Sequence, residues 1–190
     1  MNIEQLNGVK RSKIKTMLYF ILFMLLSEPQ QLLADFSNPS ELNNWTVVND
    51  GVMGGKSNGQ FELTQEGNAL FSGDVSLQNY GGFTSVRSSF KSKPIKGLKK
   101  VFIKLKGDKK NYQFRIKSEV EDKHSYKYEF STTGEWEVIE IDLINMTPTY
   151  RGYRPNLPNY QPEYLSQIGF LIANKKEESF QLEISQIWLQ

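Results

Sequence analysis

From Trp45 onward, apolar and polar side chains alternate at a period of two, and that rhythm excludes a helical body. Val101, Ile103 and Leu105 share one face of Val101–Gly107, with Lys104 and Lys106 on the other. Tyr112, Phe114 and Ile116 likewise oppose Gln113, Arg115 and Lys117. Tyr126–Phe130, Trp136–Leu143 and Phe180–Leu189 repeat the pattern. A helix brings residues three and four apart onto one face, whereas a strand with one dry and one wet side needs strict alternation. Ile168–Ala173 is continuously apolar, as in a central strand covered on both sides. Shorter strands are expected at Thr46–Val48, Gln60–Leu63, Ala69–Phe71, Val75–Leu77 and Phe83–Arg87. Turn pairs such as Asn58-Gly59, Gly107-Asp108 and Thr133-Gly134 separate the runs. The best helix candidate is Pro162–Ile168, one or two turns with Pro162 in the first turn. Short strands in this number predict an all-β fold, a β-sandwich of jelly-roll type.

The first 34 residues differ in kind from the rest. Lys10, Arg11, Lys13 and Lys15 precede the uncharged apolar run Met17–Leu26, and a polar tail follows as far as Ala34. A basic head, a short apolar centre and a small residue compose a secretory signal. The run is too short to span a bilayer, which takes about 20 residues. Leu32 stands where a cut after Ala34 would favour a small side chain, so an uncleaved membrane anchor is the other reading. The expectation is an exported (periplasmic or secreted) or membrane-anchored chain, with residues 1–34 as leader and 35–190 as a single sandwich domain. The whole chain carries 23 basic and 21 acidic residues. Removing the four basic and two acidic residues of the leader leaves 19 of each, so the body has no net charge to attract nucleic acid. The absence of cysteine excludes disulfides, thiolate metal sites and a Cys nucleophile.

Asp50–Ser57, "DGVMGGKS", ends like a phosphate-binding loop. Such a loop needs glycine where Asp50 stands, and a helix after Ser57. Here a carboxylate would repel the phosphates, and Asn58-Gly59 leads into an alternating strand. Gly51, Gly54 and Gly55 instead provide backbone freedom where a strand leaves the sheet, with Asn49 and Asp50 accepting hydrogen bonds from amides freed by the turn. A second glycine-rich segment, Asn79–Arg87, holds Gly81 and Gly82. Asp50 and Arg87 are expected to lie close together and to tie the two segments by hydrogen bonds or an ion pair.

Asn49–Ser57, with Met53 in it, and Gly73–Arg87, together with Trp45 upstream, resemble the signature of the complex I intermediate-associated protein family. Gly97–Lys117, Gly134–Leu143, Arg151-Gly152 and Ser179–Ile187 extend the resemblance over residues 36–190. The chain departs from the family at Asn145-Met146, where relatives usually place Asp-Phe. The resemblance implies a galactose-binding-like β-jelly-roll. It also implies a non-catalytic assembly factor for the respiratory NADH:ubiquinone oxidoreductase, with respiratory-complex subunits as protein partners.

The residues themselves suggest no enzyme, cofactor or metal centre. His124 is the sole histidine and reads as a solvated turn residue, and Glu119, Glu121 and Asp122 read as a hairpin tip. The nine lysines of Lys91–Lys110, with no arginine among them, read as a solvated outer face. Within the Pro-rich connection Asn145–Gln167, the loop Thr149–Tyr160 is the recognition candidate. Within it Tyr150, Arg151, Tyr153 and Arg154 are of the types enriched at binding hot spots, and prolines limit the cost of ordering them. Two functions from different classes follow: a binding and assembly domain working through protein contacts, or an extracytoplasmic carbohydrate- or small-ligand-binding module. In the second, tyrosine faces would stack on sugar rings. Membrane contact is expected only through the N-terminal segment.

Overall fold

A computed structural model describes residues 30–51 and 54–190, so the apolar run Met17–Leu26 and Met53 lie outside the described residues. Twelve strands are described: β1 (Gln31–Asp35), β2 (Trp45–Asn49), β3 (Asn58–Leu63), β4 (Ala69–Val75), β5 (Thr84–Pro94) and β6 (Lys100–Lys106), then β7 (Asn111–Lys117), β8 (Ser125–Ser131), β9 (Trp136–Asp142), β10 (Thr147–Thr149), β11 (Tyr164–Ile172) and β12 (Glu178–Leu189). Two six-stranded sheets result, one ordered β3-β4-β12-β6-β9 with β1 also on β12, the other β10-β8-β7-β11-β5-β2. Every strand pairing in both is antiparallel. This is the all-β jelly-roll sandwich expected from the alternation.

The alternating apolar residues meet between the sheets. Val101, Ile103 and Leu105 of β6 are fully buried, as are Phe114 of β7 and Ile172 of β11. Aromatic rings carry much of this core: Phe71 and Phe180 meet edge-on at 4.8 Å, and Trp45 sits 5.3 Å from Phe61 and 5.6 Å from Phe36. Such pairs add about 1 kcal/mol each beyond their burial. In β12 the buried positions run Phe180, Leu182, Ile184 and then Ile187, Leu189. A register shift against β6 between Ile184 and Gln186 absorbs the change of phase.

Three local expectations are corrected. Pro162–Ile168 is not helical, because Tyr164 begins β11 and pairs with Pro94, while the Ile95 amide donates to the Glu163 carbonyl at 2.9 Å. Partners on the long neighbour β5 outweigh the weak propensity of a one-turn segment. Ala69–Phe71 and Val75 belong to one strand, β4, which runs through Gly73. The sandwich also begins earlier than residue 35: β1 pairs with the end of β12, and Ala34 and Phe36 are buried. A cut after Ala34 would remove four of β1's five residues.

Candidate functional site

The two glycine-rich segments meet around one carboxylate. Asp50 follows β2 and is 7% exposed. Its Oδ1 accepts from the Ser57 amide at 3.1 Å. Its Oδ2 accepts from the Ser57 hydroxyl at 2.5 Å, the Gly82 amide at 2.7 Å and the Phe83 amide at 3.2 Å. Beside it, the Asn49 side-chain oxygen accepts from the Gly59 amide at 3.1 Å and the Thr84 hydroxyl at 2.5 Å. Burial opposes the charged form of Asp50, but the hydroxyl and three amides together outweigh it and hold the pKa below its ordinary value. Space explains two of the glycines. A Cβ on Gly55 would collide with Asp50 Oδ1, and one on Gly81 would lie 2.6 Å from Oδ2. The backbone conformation requires two more, since Gly54 and Gly82 have φ of 85° and 132°. Gly51, two residues past the end of β2, is exposed, and its carbonyl accepts from the Gly54 amide at 2.9 Å.

The expected bond between Asp50 and Arg87 is not made. Asp50 does tie the two segments, but through backbone amides. Arg87 lies opposite Thr46, whereas Asn49, next to Asp50, lies opposite Thr84. Three residues of strand separate the two rows, about 10 Å. Alternation also decides the face: Thr84, Val86 and Ser88 point into the core, which turns Arg87 outward.

On that outer face Arg87 joins a basic trough. Gly169 of β11 is flanked by Arg87 on β5 and by Arg115 on β7, each in register with it. Gly169 is required because a Cβ there would stand 2.5 Å from the Val86 carbonyl oxygen and 3.1 Å from Arg87 Cα. The consequence is a floor without a side chain between two arginines. The cavity above it, about 260 Å³, is also lined by Lys117, Lys123, Tyr150 and Arg151. A larger open cavity of about 870 Å³ shares Arg115 and Thr149 with it and reaches Gly81, Gly82, Gly152 and Asn174. The second glycine-rich segment thus borders this open face as well as the Asp50 latch.

Arg115 is half-buried, and its Nε and Nη2 donate to Gln113 Oε1 at 3.0 and 2.7 Å. Burial lowers its pKa to about 10, with attraction from Glu129 as the opposing influence. Lys117 is lowered by burial and then by repulsion from Arg87, against attraction to Asp122 and Glu121. Its ammonium donates to the Val120 and Asp122 carbonyls at 3.0 and 2.6 Å. Among the described residues, none of Arg87, Arg115, Lys117, Lys123 and Arg151 forms an ion pair.

The recognition loop divides between anchoring and display. Tyr150 and Tyr153 exchange both backbone hydrogen bonds, at 2.9 and 3.1 Å. Arg151 and Gly152 form the tip with φ of 47° and 86°, as a tight two-residue hairpin demands. The Tyr150 ring meets Tyr153 edge-on at 5.6 Å and lies 5.4 Å from the Arg151 guanidinium carbon. Tyr150 and Arg151 face the trough, whereas Tyr153 and Arg154 line neither cavity. Tyr153 is 56% exposed, and Arg154 donates to Asn159 at 3.1 Å. Tyr160 is the anchor: it is fully buried, donates to the Tyr164 carbonyl at 2.5 Å and packs 5.0 Å from Tyr126. His124 is half-buried edge-on to Tyr126 at 5.1 Å and is not a free turn residue. The sequence reading missed Arg115, Lys117, Lys123 and Gly169. The first two were visible as wet-face residues, but nothing local marked that face as a site.

Fold and trough define an all-β jelly-roll sandwich domain with an open polar face on one sheet. Among solved structures it is similar to the family 11 carbohydrate-binding module of a cellulosomal cellulase of Clostridium thermocellum. That match has 18% identity and a TM-score of 0.66, covering 86% of this chain and 95% of that one. An agarase is similar at 14% identity and a TM-score of 0.57, over 86% of this chain and 24% of that one. The chain belongs to the Complex I intermediate-associated protein 30 (CIA30) family, which it matches over residues 34–184. It is 25% identical over 181 residues to the mitochondrial Complex I intermediate-associated protein 30 of Drosophila melanogaster. The match takes in 82% of this chain and 61% of that relative, so the chain spans about three fifths of the relative's length.

Proposed function

We propose that this chain is a non-catalytic binding domain that serves the assembly of a respiratory NADH:ubiquinone oxidoreductase by holding a protein partner on the outer face of the β5–β11–β7 strands. The observation that carries the reading is the family match over residues 34–184, which takes in the Asp50 latch and the trough. The outward strand residues of this face, Ser85, Arg87, Gln113, Arg115, Lys117 and Gln167, include two arginines, a type enriched at protein interfaces, and no aromatic ring on which a sugar could stack. Tyr150 is the ring at its edge that the hairpin presents, and Tyr153 and Arg151 already engage it. Carbohydrate binding, the other function considered, draws on the likeness of fold, and fold alone is a weak warrant for a ligand.

The leader pattern belongs to the same proposal: an exported or anchored chain would act on the side of the membrane it reaches. Pull-down of the full chain from native membranes, with quantitative identification of co-purifying proteins, tests the role. Enrichment of respiratory-complex subunits, reduced by Arg87→Gln, is the expected result. Their absence from the captured proteins, together with saturable binding of a neutral oligosaccharide, would replace the reading with the carbohydrate one. Fractionation of the tagged full chain tests the export expectation separately.

A further inference from the structure

We propose that the trough over Gly169 is a carboxylate-recognition site that takes an acidic, extended segment of the partner protein. One carboxylate seats between Arg87 and Arg115, and further carboxylates meet Lys117, Lys123 and Arg151. The inference rests on the binding-domain reading and names the partner's chemistry.

Charge supplies the first reason. Five of the 19 cationic side chains of the body converge on this one cavity, although the body as a whole is neutral. Among the described residues none of the five has an ion-pair partner. Arg87 and Lys117 stand close enough to repel one another. A cluster of like charges that is partly desolvated and unpaired gains most from an anion. Arg115 shows the same condition: its guanidinium is half-buried, and its bonds within the trough go to a neutral amide oxygen.

Geometry narrows the ligand. Arg87 and Arg115 stand on strands two places apart, about 9.5 Å between backbones. Gly169 leaves the floor between them bare, so a planar group can descend between two guanidinium forks. Lys117 lies two residues along β7 from Arg115, while Lys123 and Arg151 come from connections at the rim. No single small anion reaches all five, whereas a chain bearing carboxylates at intervals does. The contiguous larger cavity offers it a path along the sheet toward Gly82 and Asn174. Nucleic acid fits poorly, because a body with no net charge lacks the long-range field that phosphate polymers exploit.

The test uses the full chain with three probes: an octaglutamate peptide, an octaglutamine peptide and inorganic phosphate. Calorimetric titration at low salt is expected to show saturable binding of octaglutamate alone, weakening as salt rises. Arg87→Gln and Arg115→Lys each reduce that affinity about tenfold or more, and Lys104→Gln, on the outer face of the other sheet, leaves it unchanged. Arg115→Lys keeps the charge but removes the fork, and Arg87→Gln leaves the Gln113 contact intact, so the pair yields a reading even where one variant folds poorly. Equal binding of the two peptides, tighter binding of phosphate than of octaglutamate, or unchanged affinity in both arginine variants would overturn the proposal. The two readings fail separately. Octaglutamate binding without capture of respiratory subunits removes the assembly role alone, and capture without octaglutamate binding removes this inference alone.

Discussion

Replacing Asp50 with alanine should destabilise the domain strongly. Four hydrogen bonds end on this carboxylate, from the Ser57 amide and hydroxyl and from the Gly82 and Phe83 amides. The hydroxyl has other company, since it also meets the Ser76 carbonyl and amide. Three amides are therefore orphaned. Those of Gly82 and Phe83 are only part-buried and can recover water, which places each loss near the lower end of the roughly 1–3 kcal/mol cost of an unmade bond. The sum is about 3–4 kcal/mol, and for a chain of this size that lowers Tm by roughly 10 °C at pH 7. Asp50→Asn keeps one acceptor but points an amide group at donors, so it should fall between alanine and wild type.

Acid provides an internal check on that number. The pKa of Asp50 is lowered in the folded state, so its charge contributes stability that is fully present above its unfolded value. That contribution is lost as pH falls through the folded value. The gap between wild type and Asp50→Ala should hold steady from pH 7 to about pH 5 and narrow progressively below about pH 4. Thermal melts followed by circular dichroism would measure it. A variant melting within 2 °C of wild type, or a gap that widens on acidification, would refute the view that one buried carboxylate holds the two glycine-rich segments together.

Gly81→Ala should cost about 2–3 kcal/mol by urea denaturation, because its Cβ would lie 2.6 Å from Asp50 Oδ2 and force apart the bonds that close the latch. The loss should shrink when it is combined with Asp50→Ala. Tyr160→Ala, in the fully buried anchor of the recognition loop, should cost about 3–5 kcal/mol, and Tyr160→Phe about 1 kcal/mol for the bond to the Tyr164 carbonyl. Limited proteolysis between residues 149 and 160 should accelerate far more in the first. Tyr112→Phe removes a hydroxyl whose single proton is shared between Asp108, at 2.7 Å, and the Gln181 carbonyl, at 3.1 Å, and should lower stability by about 1–2 kcal/mol in the same assay. A chain beginning at Asp35 should melt at least ~5 °C lower than one beginning at Gln31, since β1 and its pairing with β12 go with the deleted residues.

Much of this architecture could be read from side-chain order alone. The alternation in β6 and β7 gave both strand and buried face, because a pleat puts neighbours on opposite sides whatever the strand later pairs with. Asp50 was legible as an acceptor, since a carboxylate among glycines sits where amides are freed. Its partners were not, because Gly82 and Phe83 lie more than 30 residues away and nothing local specifies which loop a loop will meet. The short helix at Pro162 failed for the same reason: β5 extends far enough to pair with Tyr164, and that pairing overrides a weak local preference. The phase slip in β12 and the five-residue β1 were likewise settled by neighbouring strands.

By itself the sequence determined that the body is a stack of half-wet strands with a loop rich in tyrosine, arginine and proline, and that its charge is balanced. Only the tertiary structure decided that Arg87 turns away from Asp50 and that β11 lies between β5 and β7, with Gly169 between the two arginines. The physical reason is range. Periodicity is enforced by the covalent pleat within a strand, whereas adjacency between strands is won by hydrogen bonds and packing among residues that the chain keeps far apart.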